Sequence, residues 1–393
     1  MSVDPKLTTE LLRSLVAIDS VNPTLVPGAR GEAEIARFLQ GWFREQGVAA
    51  ELQEASPQPG MNRPNVLAWL GPKPLRDATG TPRAGLVLVG HMDTVGAGDM
   101  PEPFTPRERD GRLYGRGALD IECGVAAMCA ATATIAREAT PLRKPLLVAA
   151  VVDEECDSVG TQALVREYSA DAAVVMEPTD LKICIAHKGF AWFRVTTHGR
   201  AAHGSLPADG RDAIRMMGRV LDELDALDKR LARATSHPLL GPASVHASLI
   251  SGGQELSSYP AECRLELERR TLPGESDEAL EREVRQWIEE LHGRDPEFRA
   301  TSQFMGSRAP YEIAPDAPIA VAAESAVKRV IGAAEFCGMS FWTDTAILRA
   351  AGIPGVVYGP SGRGLHGKEE YVELESVVQC ANVLRELILA WCA

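Results

Sequence analysis

The sequence has no C-x-x-C pair, although it carries eight cysteines in 393 residues. Zinc sites built on thiolates typically show such spacing, so no site of that class is expected. For a chain of this length, reduced thiols in the cytosol are the expected state. No apolar run approaches the roughly 18 residues of a membrane span. The start, MSVDPKLTTELLRSL, lacks a basic stretch followed by an apolar one, so no signal peptide is expected. An excess of positive charge is also missing: the formal net charge is -13. Phosphate binding rests on clustered Lys and Arg, so neither nucleic acid nor a membrane is an expected partner. No G-x-S-x-G elbow stands at a strand end, which argues against a serine hydrolase. Gly115-x-Gly117 lacks the preceding strand and the third glycine of a dinucleotide loop. There is no internal repeat and no low-complexity tract.

Four apolar runs are present, and each leads to an acidic or metal-binding side chain. They are LVLVG before His91, LLVAAVVD before Glu154 and Glu155, AAVVM before Glu177, and GVVYGP ahead of His366. Such runs read as strands buried on both faces. In open α/β sheets, ligands bind beyond the carboxyl ends of those strands. Asp120, after YGRGAL, adds a carboxylate from a fifth segment.

Helical patterns separate the strands. Ile35, Phe38, Leu39, Trp42 and Phe43 share one face of a helix over about 31–46, and a small-residue helix spans about 124–138. The Pro- and Gly-rich stretches SPQPGMNRP and GPKPLRDATGTPRAG read as loops. Strands alternating with helices predict a mostly parallel sheet. The pattern changes near His187. Strands near 192–197, 244–250, 262–270 and 297–304, with helices near 211–231 and after Ser276, give the order β-α-β-β-α-β of a ferredoxin-like unit. The fold expected is therefore α/β, with a mixed, mostly parallel sheet. Residues 1–185 and 306–393 form the catalytic domain, and 186–305 form an inserted domain.

The candidate residues permit hydrolytic chemistry. Asp93, two after His91, can orient a ligating imidazole. Asp120 can bridge two cations through its two oxygens. Glu154 and Glu155 point to opposite faces if the strand continues, so one ligates and the other takes a proton from a metal-acidified water. Glu177 and His366 complete a shell of carboxylates and imidazoles, which suits zinc, with cobalt or manganese also fitting.

Seven strings, GHMDTV, YGRGALD, VVDEE, MEPT, GRAAH, ERRTLPGE and LHGKEEYV, occur in one order along nearly the whole chain. Together they resemble the dinuclear zinc peptidases and deacylases that include acetylornithine deacetylase, succinyl-diaminopimelate desuccinylase, aminoacylase and glutamate carboxypeptidase. The resemblance implies two metal ions, one on His91 and Glu177 and one on Glu155 and His366, bridged by Asp120 before a cis peptide to Ile121. It implies Glu154 as general base and Asp93 as the orienter of His91. It implies that His203 stabilises the oxyanion in a partner subunit's site, so the inserted domain is the dimerisation lid of a homodimer. Arg270 would bind the substrate carboxylate. Two departures stand out. DIECG places Glu122 and Cys123 where family members commonly have Lys or another residue before Gly–Gly. GGQELSSYP offers Ser257 where they often have Asn. The expected activity is hydrolysis of an N-acyl amino acid, with a carboxypeptidase or dipeptidase as the alternative and a non-catalytic metal-binding scaffold as a rival of another class.

Overall fold

In a computed structural model, residues 2–56, 61–234 and 236–393 are described. The chain divides into two compact units. The larger runs to Ile185 and resumes over Ile313–Cys337 and Thr343–Ala393; the smaller holds Ala186–Glu312 and Gly338–Trp342.

The larger unit is built on a mixed sheet. Its strands follow the order Ala49–Glu54, Pro64–Leu70, Leu146–Val151, Leu86–His91, Ala173–Val175, Gly355–Val357 and Ile183–His187. The central four are parallel, with His91 opposite Val151 and Val175 opposite both Val89 and Val357. Every residue of Leu86–His91 and of Leu146–Val151 is buried. That is why these strands read as unbroken apolar runs rather than alternating ones. Parallel pairing in this register brings their carboxyl ends to one edge.

Helix Glu122–Arg137 lies against this sheet and is buried through its first fourteen residues. Its small side chains allow close approach: a Cβ at Gly124 would stand 2.8 Å from Met176 Cβ and 2.9 Å from Ile121 Cγ1. Helix Leu374–Cys392 packs on it in turn. The helix expected over about 31–46 is Ala33–Glu45, with Ile35, Leu39 and Phe43 buried.

A small antiparallel sheet joins Gly362–Arg363, Tyr371–Glu373, Arg112–Tyr114 and Arg107–Arg109. It aligns two segments distant in sequence, one leading into Asp120 and one containing His366.

One expected loop is partly strand. Leu75–Arg76 pairs with Pro82–Ala84, which pairs with Ser169–Ala170. Asp77 closes the turn by accepting the main-chain N–H groups of Thr79 and Thr81, turn chemistry that composition alone masks. Of the other stretch, residues 57–60 lie outside the described residues.

The smaller unit is a four-stranded antiparallel sheet in the order Ser244–Gly252, Glu262–Thr271, Gly189–His198, Ala300–Arg308, with helices Ala213–Arg233 and Asp277–Arg294. In chain order this is the ferredoxin-like arrangement. Its core includes Phe193, Val195, Leu265, Leu267, Met217 and Phe298. Ser276 caps the second helix, accepting the Ala279 N–H. The last strand begins three residues later than the pattern suggests, because Asp295 accepts the Glu297 N–H and holds a turn there.

Candidate metal centre

The larger unit gathers His91, Asp120, Glu154, Glu155, Glu177 and His366. Asp120 stands at the middle. Its Oδ1 lies 3.4 Å from His91 Nε2 and its Oδ2 lies 3.1 Å from His366 Nε2. Glu155 Oε1 is 3.3 Å from the same His366 nitrogen. Two donors on one tetrahedral zinc, each about 2.0–2.1 Å from it, stand roughly 3.3 Å apart. The spacing therefore fits a carboxylate shared between two cations. Among the described residues, two sets of side chains could each hold an ion, His91 with Glu154 and Glu177, and His91 with Asp120 and Glu155. His91 Nε2 is buried without a hydrogen-bond partner, which is the state of an imidazole nitrogen whose natural partner is a cation. The donor set contains no sulfur, and two divalent cations suit it.

The electrostatics agree. Burial pushes the Glu154 and Glu177 carboxyls well above the usual range, with neighbouring charges contributing. Burial also pushes Asp120 up, but the His366 and His91 imidazoles more than reverse this and leave it low. Asp120 and Glu155 raise His366 to about 10. The cluster balances its negative charge with protons on imidazole, which bound cations would displace.

Each position has a local cause. His91 is the last residue of its strand. Its Nδ1 lies 2.9 Å from the main-chain carbonyl of Asp93, whereas the Asp93 carboxylate is 3.7 Å away. The expected carboxylate-to-imidazole bond is thus replaced by a carbonyl, because the carboxylate is engaged elsewhere. It accepts the N–H of Glu154 at 3.1 Å, the N–H of Glu155 at 3.2 Å and the Asn22 amide at 2.8 Å. The strand before the two glutamates ends at Val151, and both sit in the following turn. Their separation comes from that anchored turn and not from strand alternation. Glu154 and Glu177 both stand 3.9 Å from His91 Nε2.

His366 does not end a parallel strand. It sits in the hairpin between Gly362–Arg363 and Tyr371–Glu373, with a left-handed φ of 57°. The Asp120–Ile121 peptide is cis. Both segments are clasped by a pair that sequence reading missed. Arg116 Nη1 donates to Glu370 Oε2 at 2.5 Å. Glu370 Oε1 accepts the Leu119 and Asp120 N–H groups at 2.8 and 3.1 Å, while Arg116 Nη2 donates to the Gly367 carbonyl at 3.1 Å. Glu122 is 1% exposed, so it does not face solvent. Its carboxylate fills the space beside Gly117, where a Cβ would stand 1.8 Å from Oε2. Asp344, also missed, is buried, accepts the Thr161 hydroxyl at 2.5 Å, and is pushed by burial up to about 6.

His203, Ser257 and Arg270 belong to the smaller unit. His203 and Ser257 are exposed on neighbouring loops, joined by the Gly204 N–H to Ser257 carbonyl bond of 2.7 Å. His203 Nδ1 lies 2.7 Å from Ser205 Oγ. Arg270 donates to Glu268 at 2.6 Å and lies over the Phe190 ring.

Residues 87–390 match the model of the peptidase family M20/M25/M40. Acetylornithine deacetylase from Myxococcus xanthus is 30% identical over 392 residues, covering 97% of this chain and 96% of that protein. Acetylornithine deacetylase from Klebsiella pneumoniae (strain 342) is 28% identical, over 98% and 97% respectively. Among solved structures, the aminopeptidase PepT of Bacillus cereus superposes with a TM-score of 0.79 at 19% identity, covering 98% of each chain. A dinuclear metal-binding M20 peptidase of Bacillus subtilis gives 0.71 at 16%, again over 98% of each. These folds accord with the sheet and the ferredoxin-like unit found here. The match spans far more than half of the chain, and the protein, a hydrolase of amide or peptide bonds, belongs to the peptidase family M20/M25/M40.

Proposed function

We propose that this metal-dependent amidohydrolase cleaves the amide bond of an N-acyl amino acid. The observation that carries the reading is Asp120, whose two oxygens each face a different imidazole, within a set that also contains Glu154. The likeness to acetylornithine deacetylases over nearly the full chain supports the deacylase side.

His91 and Glu177 would hold one cation and Glu155 and His366 the other, with Asp120 placed between the two imidazoles to serve both. Zinc is the first choice, with cobalt or manganese able to serve. When bound, the pair acidifies a water and polarises the acyl carbonyl. Asp93 fixes His91 through its carbonyl and the glutamate turn through its carboxylate. Glu154 accepts the proton of the attacking water and returns it to the leaving amine. Arg270 and Ser257 bind the substrate's free carboxylate, and Arg270 exchanges its Glu268 partner to do so. His203 steadies the oxyanion across a homodimer whose contact is the inserted domain, an effect typically worth about 3–4 kcal/mol per donor. The protein acts in the cytoplasm on small molecules.

A panel of N-acetyl and N-succinyl amino acids and dipeptides, assayed with zinc- or cobalt-loaded protein, tests this. Preference for one acyl amino acid is expected. Preference for dipeptides would replace the reading with a dipeptidase or carboxypeptidase.

A further inference from the structure

We propose that Asn22 is a positioning residue of the hydrolytic site: its amide clips Asp93 to Asp153 and so fixes the turn that carries Glu154 and Glu155. The inference rests on the metal-dependent reading given above.

Asn22 is fully buried, and Asp93 and Asp153 are each 1% exposed. Asn22 Nδ2 donates to Asp93 Oδ2 at 2.8 Å and to Asp153 Oδ1 at 3.0 Å. The orientation of the amide is fixed independently, because its Oδ1 accepts the Thr24 N–H at 2.8 Å. Its main chain is tied as well, with the Asn22 N–H donating to the Thr94 carbonyl at 2.9 Å. Both amide hydrogens are therefore spent on carboxylates, one each.

Those carboxylates hold the two ends of the turn. Asp93 accepts the Glu154 and Glu155 N–H groups. Asp153 accepts the Asp157 N–H at 3.2 Å and itself has a φ of 68°, in the left-handed region. Among the described residues, one arginine serves the cluster. Arg63 is 5% exposed, forks onto Glu32, and reaches Asp153 at 2.8 Å through Nη1. Among the described residues, Asp93 has no cationic partner other than the metal-facing His91. A neutral double donor between the two aspartates is what this charge balance needs. Alanine there leaves two buried carboxylates facing each other unbridged, and aspartate adds a third negative charge.

Groups behind metal ligands typically change affinity or activity about 10–100-fold when lost. Asn22→Asp and Asn22→Ala should bind Co2+ about 10–100-fold more weakly by calorimetry, with a shifted visible band, and lower kcat while leaving KM within about threefold. A merely structural role would lower the unfolding temperature and leave the Co2+ affinity and band unchanged. Wild-type affinity and spectrum in either folded variant overturn the proposal. Where neither variant folds, hydrogen exchange on the wild type decides: the Glu154 and Glu155 amides must exchange as slowly as those of the strand ending at Val151, and fast exchange there refutes it. If wild-type protein takes up no Co2+ at all, the metal reading itself falls, an outcome distinct from failure of the Asn22 step alone.

Discussion

Arg116→Met probes the clasp that joins the Asp120 and His366 segments. Arg116 and Glu370 side chains are 3% and 0% exposed, and their closest atoms are 2.5 Å apart. Methionine retains the apolar stem but leaves Glu370 buried with two main-chain donors and no cation. Burial already raises the Glu370 carboxyl, and the neighbouring Asp120 carboxylate adds to that rise. Removing one partner of a buried pair typically costs about 3–5 kcal/mol. At roughly 2–4 °C per kcal/mol for a unit of this size, the melting temperature should fall by about 6–20 °C. The double variant Arg116→Met with Glu370→Gln should be more stable than Arg116→Met alone, since no lone charge then stays buried. Denaturant unfolding gives the energies, and hydrogen exchange at Leu119 and Asp120 gives the local effect. A single variant within about 0.5 kcal/mol of wild type, the range of an ordinary surface change, would refute the reasoning.

Gly124→Ala forces a Cβ against Met176 and Ile121, neighbours of Glu177 and Asp120, and should cost about 1–3 kcal/mol in denaturant unfolding. His366→Ala should bind one cation per chain in place of two by elemental analysis, because Glu155 and one Asp120 oxygen lose their shared imidazole. His187 supplies a pH dependence. It is buried against Tyr311, its Nδ1 donates to the Lys188 carbonyl at 2.9 Å, and burial lowers its pKa from 6.5 to about 4. The unfolded state binds the proton more readily, so this stability is present above pH 6.5 and is lost as pH falls toward 4. The gap amounts to about 3 kcal/mol. Between pH 7.5 and 4.5, wild type should lose about 2–3 kcal/mol more than His187→Phe; equal losses would exclude His187 as the source.

The residues at the strand ends were legible because strands buried on both faces leave unbroken apolar runs, and because His, Asp and Glu at their ends declare their chemistry by type. The ferredoxin-like order was legible from alternating faces, such as Phe193 and Val195 against Leu265 and Leu267. What holds the site was not. Arg116 meets Glu370 across 254 positions and Asn22 meets Asp153 across 131, and no local pattern marks such pairs. Glu122 shows the same limit, since its type is plain but the side of the helix it takes depends on Gly117. The carbonyl of Asp93, not its carboxylate, contacts His91 because the glutamate turn claims the carboxylate, a competition visible only in three dimensions.

The most direct measurement is Glu154→Gln, assayed for N-acyl amino acid hydrolysis alongside the count of bound cations. The account predicts two cations per chain in both proteins and turnover in wild type only. A Glu154→Gln protein that hydrolyses at the wild-type rate, or a wild-type protein fully active after chelation, would contradict it.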